Sequence, residues 1–113
     1  MPTSQGRAFY EQQIAYLQAK DVDGLIDNHY NADAVLISFD NKIKGRDALK
    51  AYFRGYLELL GRLEVKSTDN FAETEDVIYF TATVESALGE ARVYDAFILR
   101  DGKISYHISG VMR

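Results

Sequence analysis

From residue 62 to residue 112, apolar and polar side chains alternate along the chain, interrupted at Thr74-Glu75, Leu88-Gly89 and Arg100-Asp101-Gly102. Alternation with period two places successive side chains on opposite faces of a strand, and these interruptions are turn-forming sequences. The pattern predicts strands over 62–73, 76–87, 91–100 and 103–112. Loops this short join antiparallel neighbours, because a parallel return needs a crossover of about a dozen residues. The C-terminal half therefore reads as an antiparallel meander.

Before Gly61 the period is helical. Tyr10, Ile14 and Leu17 share one face of a helix from Ser4 to about Lys20. Asp21 is placed to cap a second, short helix ending near Tyr30. Residues 34–39 read as a short strand, Asp40-Asn41 as its turn and 42–44 as a return strand. After Gly45, Leu49, Tyr52, Phe53, Tyr56, Leu57 and Leu60 form the apolar stripe of a third helix. The expected class is α+β, with three N-terminal helices packed on a strongly curved antiparallel sheet around an internal pocket.

At 113 residues the chain has enough surface for one core, so a single domain over 1–113 is expected. The formal charge of −4, with no basic run, argues against a nucleic-acid partner. The chain has no cysteine and two histidines far apart, which leaves no metal-ligand spacing. No metal and no organic cofactor is expected. Neither a signal-peptide core nor an apolar run approaching the ~20 residues of a membrane span is present, so the expectation is a cytoplasmic protein without membrane contact.

Turn lengths give the strand register, and register decides which side chains meet. Two-residue loops at Thr74-Glu75 and Leu88-Gly89 pair Ser67 with Ala82 and Ala82 with Asp95. A three-residue Arg100-Asp101-Gly102 loop pairs Asp95 with His107 on a face otherwise made of Leu63, Val65, Phe71, Ile78, Phe80, Val84, Val93, Phe97 and Val111. A two-residue Asp101-Gly102 turn instead pairs Asp95 with Ile108 and sends His107 to the other side. That reverse face carries Tyr79, Tyr94, Ile98, Ile104, Tyr106 and Ile108, too apolar for a sheet facing only water, and predicts a homodimer through Tyr79, Tyr94, Ile98, Tyr106 and Ile108.

Three segments carry a family resemblance: Asp21-Val-Asp-Gly-Leu-Ile with Tyr30-Asn-Ala-Asp-Ala-Val, then Lys44-Gly-Arg-Asp-Ala-Leu-Lys-Ala-Tyr-Phe53, and Tyr94-Asp-Ala-Phe-Ile-Leu-Arg-Asp-Gly-Lys-Ile104 followed by Ser-Tyr-His. Their order and spacing resemble the cone-shaped nuclear transport factor 2-like superfamily, which includes ketosteroid isomerases and SnoaL-like polyketide cyclases. The resemblance implies a deep apolar cavity with a few polar groups. It also implies that Asp95 stands where the isomerases keep a protonated, hydrogen-bond-donating aspartate. Their proton-abstracting aspartate falls at Ser38 and their oxyanion tyrosine near Gln13 or Ile14, so steroid isomerisation is not expected. The SnoaL-like pattern has a histidine at His107, but its frequent acid two residues later is Ser109 here.

The candidate catalytic pair is Asp95 with His107, the carboxylate fixing the imidazole so that its other nitrogen moves a substrate proton. Gln13, Ser38, Ser67 and Ser109 are candidates to hydrogen-bond the substrate, and Tyr16, Tyr52, Tyr56, Phe80 and Phe97 to contact it. His29, near a helix end, is expected to be partly exposed and outside the site. Such a pocket suits isomerisation, dehydration or cyclisation of a small apolar carbonyl compound. The alternatives are a non-catalytic module for a hydrophobic ligand and a dimeric interaction domain.

Overall fold

The computed structural model describes residues 4–38 and 41–112. Among these, the order is α1 (Gln5–Ala19), α2 (Val22–His29), β1 (Tyr30–Ser38), β2 (Asn41–Lys44), α3 (Arg46–Leu60), β3 (Leu63–Glu73), β4 (Val77–Ser86), β5 (Gly89–Arg100) and β6 (Lys103–Met112). The Ser4 hydroxyl caps α1 by accepting from the Arg7 amide, and the Asp21 carboxylate caps α2 by accepting from the Gly24 amide. Gly45, at φ 89°, lets the chain turn from β2 into α3. The expected end of the first strand at Phe39 and the Asp40 half of its turn lie outside the described residues.

One sheet runs in the order β2-β1-β6-β5-β4-β3. β3 to β6 form the expected antiparallel meander, but β1 runs parallel to β6, so the sheet is mixed. This parallel contact needs no hairpin, because α3 and the meander separate the two strands in sequence. The three helices cover one face, and Tyr10, Leu25, Ile26, Leu36, Leu49, Phe53, Ile78 and Phe97 close the core between them. No helix among the described residues is long and apolar enough to cross a membrane.

Three single-residue bulges set which side chains point inward. Lys66 and Asp69 are extra residues in β3, where the register steps between Val65 and Ser67 and again between Thr68 and Asn70. Each bulge reverses side-chain direction downstream. Thr68 thus takes the place opposite Ala82 expected for Ser67. Ser67 turns outward and donates to Asp69 Oδ1 at 2.7 Å.

The third bulge is Ser105. Asp101 and Gly102 both have positive φ, 56° and 78°, as a two-residue type I′ turn requires, and Arg100 pairs with Lys103. Alone, that turn would send His107 outward. The register then slips between Leu99↔Ile104 and Ile98↔Tyr106, leaving Ser105 unpaired, and the side chains of 106–112 reverse once more. Asn31 holds the bulge, donating from Nδ2 to the Arg100 and Lys103 carbonyls and to Ser105 Oγ. His107 consequently faces inward, while Ile104, set opposite Leu99 by the two-residue turn itself, is fully buried on the inner face rather than on the outer face as expected.

Candidate functional site

Across the inner face, Phe80, Asp95, Ser109 and Ser38 are successive neighbours on β4, β5, β6 and β1. The next row is Ile78, Phe97, His107 and Leu36. Asp95 is therefore opposite Ser109, and His107 reaches it diagonally. The expected direct pairing differs by two residues, a distance that conserves the face. The same holds at the β4–β5 turn, which is Ala87-Leu88 and sets Asp95 opposite Phe80.

Between this face and helices α1 and α3 lies a cavity of about 160 Å³. Its walls are largely apolar, with Ile14, Leu17, Phe53, Phe80, Val84, Val93 and Phe97 among them, and Asp95 is its one carboxyl group among the described residues. Tyr56 and Val111, the most exposed of its large apolar lining residues, mark the solvent side. Ser38, Ser109 and Tyr52 add hydroxyl groups.

His107 Nε2 lies 2.7 Å from Asp95 Oδ1, and the two side chains are only 6% and 16% exposed. On the other side of the ring, Nδ1 is 2.8 Å from the Tyr30 hydroxyl. Tyr30 in turn accepts from Gln13 Nε2 at 2.9 Å, and Gln13 Oε1 faces His29 Nδ1 at 2.8 Å. His29 Nε2 reaches Gln12 Oε1 at 3.3 Å. Among the described residues no buried side-chain nitrogen or oxygen lacks a partner.

Burial pushes the Asp95 carboxyl above its ordinary range, with the His107 hydrogen bond pulling the other way. Burial also raises the phenols of Tyr30, Tyr52 and Tyr56, so these remain hydrogen-bond donors at neutral pH. His29 is lowered to about 4 by burial, which keeps its ring neutral.

Gln13, Ser38, Tyr52, Tyr56, Phe80, Phe97 and Ser109 all line the cavity together with Asp95 and His107. Tyr16 and Ser67 do not. Tyr16 packs its ring edge on His29 at 5.3 Å between centroids, and its hydroxyl accepts from Asn28 on α2. The bulge at Lys66 has turned Ser67 to the outer face. His29 is buried rather than partly exposed, stacked on Phe9 at 3.9 Å. The second nitrogen of His107, expected to face a substrate, is taken by Tyr30.

Tyr30 is the site residue that sequence reasoning missed. Its position reads as a helix end, yet Tyr30, Ala34, Leu36 and Ser38 are the buried positions of β1 and share an even-numbered alternation. That pattern was the available signal. Tyr10 also lines the cavity, its hydroxyl 2.7 Å from Thr68 Oγ1.

The model of the SnoaL-like domain family matches residues 7–107, which includes Asp95 and ends on His107. The chain belongs to the SnoaL-like domain family. No curated protein matches it. Among solved structures, this SnoaL-like domain is similar to an NTF2-like protein from Anabaena variabilis ATCC 29413, with 18% identity, a TM-score of 0.78, and coverage of 100% of this chain and 94% of that one. It is also similar to TerC, co-crystallised with polyporic acid, with 16% identity, a TM-score of 0.77, and coverage of 94% and 90%. A de novo designed protein with a curved β-sheet matches equally well, at 16% identity and a TM-score of 0.79 over 99% and 88% of the two chains. A designed sheet and natural proteins match alike, so these likenesses establish the fold and leave activity to the site residues.

Proposed function

We propose that this SnoaL-like domain is a cofactor-independent acid-base enzyme acting on a small, largely apolar carbonyl compound, with Asp95 as the group that takes and returns the proton. The observation that carries this reading is the division of labour between the two Asp95 oxygens. Oδ1 is held 2.7 Å from His107 Nε2, while Oδ2 has no partner in the chain among the described residues and belongs to a carboxyl lining an apolar cavity. A carboxyl that burial raises above its ordinary range, in an apolar cavity, is suited to take and return a proton.

In the proposed cycle, ionised Asp95 accepts the proton from carbon next to the carbonyl through Oδ2, and the bonding electrons move to the carbonyl oxygen as an enolate. Ser38, Ser109 and Tyr52 are the hydroxyl donors available to that oxygen. The proton then returns to a different carbon, completing an isomerisation, or to a departing hydroxide, completing a dehydration. Where the enolate carbon attacks a second carbonyl of the same molecule, the proton goes to the new alkoxide and a ring closes. The cavity is smaller than the ~300 Å³ at which drug-sized sites begin, which points to a one- or two-ring compound.

The test is proton exchange in D2O. Cyclic and aryl ketones are incubated with the protein, and loss of the proton next to the carbonyl is followed by NMR. Exchange above the buffer rate that disappears in Asp95→Asn supports the reading. A second reading, a non-catalytic module for a hydrophobic ligand, is favoured by the single carboxyl group in the cavity. It gives thermal stabilisation by the same ketones with no exchange.

We further propose that the domain acts as a cytoplasmic homodimer. Ile37, Tyr79, Tyr106 and Ile108 stand on the outer sheet face at 37–47% exposure, a contiguous apolar area beside the half-buried Tyr94 and Ile98. Sedimentation equilibrium of the wild type, with Tyr106→Glu shifting the mass to the monomer, tests this.

A further inference from the structure

The buried hydrogen-bond chain behind Asp95 has a direction, and an amide is well suited to set it. We infer that Gln13 is a positioning residue: through Tyr30 it keeps Nδ1 of His107 unprotonated and so retains the reacting proton on the cavity-facing oxygen of Asp95. The inference rests on the acid-base reading of Asp95 given above and deepens it.

The chain can be followed one hydrogen at a time. Gln13, only 3% exposed, presents its NH2 to the Tyr30 oxygen and its carbonyl to His29 Nδ1. His29 therefore carries its hydrogen on Nδ1. Tyr30 already accepts from Gln13, and its own hydrogen has one acceptor within reach, His107 Nδ1 at 2.8 Å. His107 is left with its hydrogen on Nε2, donated to Asp95 Oδ1 at 2.7 Å. From His29 Nδ1 to Asp95 Oδ1 each hydrogen meets an acceptor, and the neutral Nε2 of His29 is matched once the exposed Gln12 amide turns its NH2, in place of Oε1 at 3.3 Å, toward the ring.

The opposite direction also pairs every group, but it needs the Gln13 amide turned and a proton permanently on Asp95 Oδ1 to donate to His107. The forward direction accepts Asp95 either as carboxylate or as acid protonated on Oδ2, so it persists through a cycle in which that proton comes and goes. It also survives protonation of His29, since the added proton goes to Nε2, opposite Gln12 Oε1 at 3.3 Å. For His107 to take the proton from Asp95, the Tyr30 hydroxyl would have to turn its hydrogen toward the Gln13 NH2, donor against donor. His107 is packed between Phe97 and Phe53, with ring centroids at 4.7 and 6.4 Å. A substitute acceptor for that hydroxyl is not available among these neighbours.

The chain's two histidines make a direct test possible by long-range 1H–15N NMR of 15N-histidine-labelled protein at pH 7. The expected wild-type spectrum has one protonated nitrogen per ring: Nδ1 of His29 and Nε2 of His107. A proton on His107 Nδ1 in the wild type overturns the inference, and this measurement needs no variant. In Gln13→Glu, a carboxylate accepts from both Tyr30 and His29, Tyr30 turns, and His107 is expected to gain a second protonated nitrogen at Nδ1. If Gln13→Glu remains folded by circular dichroism and the His107 signals are unchanged, the role of Gln13 is overturned. Absence of ketone exchange with the expected spectra would instead count against the acid-base reading alone.

Discussion

The Tyr30 hydroxyl sits 2.8 Å from Nδ1 of His107, on the side of the ring opposite Asp95. Both nitrogens of the imidazole are thereby engaged within the chain, and the carboxyl of Asp95 is the titratable end that faces the cavity. The division of roles is set by packing: β1 brings Tyr30 from behind while β5 presents Asp95 in front.

Removing the Tyr30 hydroxyl strands two buried groups, Gln13 Nε2 and His107 Nδ1. Unsatisfied buried polar groups cost about 1–3 kcal/mol each. Tyr30→Phe is therefore expected to lower unfolding free energy by about 2 kcal/mol or more in urea titration, despite keeping the ring. A loss under about 0.5 kcal/mol would show that the chain contributes nothing to stability.

His29 gives a pH dependence whose sign can be worked out. Its folded value of about 4 lies below the ordinary 6.5, so the unfolded chain binds the proton more readily in between. Stability from the neutral ring is full above pH 6.5 and declines as pH falls toward 4. At about 1.4 kcal/mol per unit the decline is on the order of 3 kcal/mol. The wild type should lose this much more than His29→Asn between pH 7 and pH 4, measured by urea unfolding at both; parallel losses would contradict it.

Asp95 works in the other direction. A carboxyl raised by burial contributes fully below the ordinary aspartate value and loses that contribution as pH climbs through its folded value. Asp95→Asn retains an oxygen to accept from His107 but cannot ionise. The variant should therefore gain stability relative to the wild type as pH rises from about 4 to 8, read from paired unfolding curves. A constant difference would place Asp95 in an ordinary aqueous setting.

Ile104 tests the two-residue Asp101-Gly102 turn. Because that turn pairs Ile104 with Leu99 and points it inward to full burial, Ile104→Ala should cost about 2–5 kcal/mol, as for other core truncations. On the three-residue-loop register, with Ile104 opposite Ile98 on the outer face, it would be a surface change worth less than about 0.5 kcal/mol. Differential scanning calorimetry separates the two.

The elements were legible because their periodicities differ, helical before Gly61 and alternating after it, and caps such as Asp21 fixed the boundaries. Bulges were not legible, since one inserted residue leaves no mark in composition. At Lys66 this cost the position of Ser67. At Ser105 it did not, because a three-residue loop and a two-residue turn followed by a bulge both return His107 to the inner face. The parallel β1–β6 contact, and with it the place of Tyr30, depends on pairing between segments far apart in sequence, which turn lengths do not encode. Tyr16 lies at helical spacing from the core yet packs against α2, a choice between two faces of α1 that its own pattern leaves open.

The most direct test of the site is the titration of the Asp95 side-chain carbon by NMR in 13C-aspartate-labelled protein, assigned with Asp95→Asn. The expected midpoint lies above the ordinary ~3.9 of an aspartate and moves further upward when a ketone fills the cavity and displaces water from the free oxygen. A midpoint at or below the ordinary value, unmoved by ligand, would contradict a cavity-facing carboxyl that holds and releases the reacting proton.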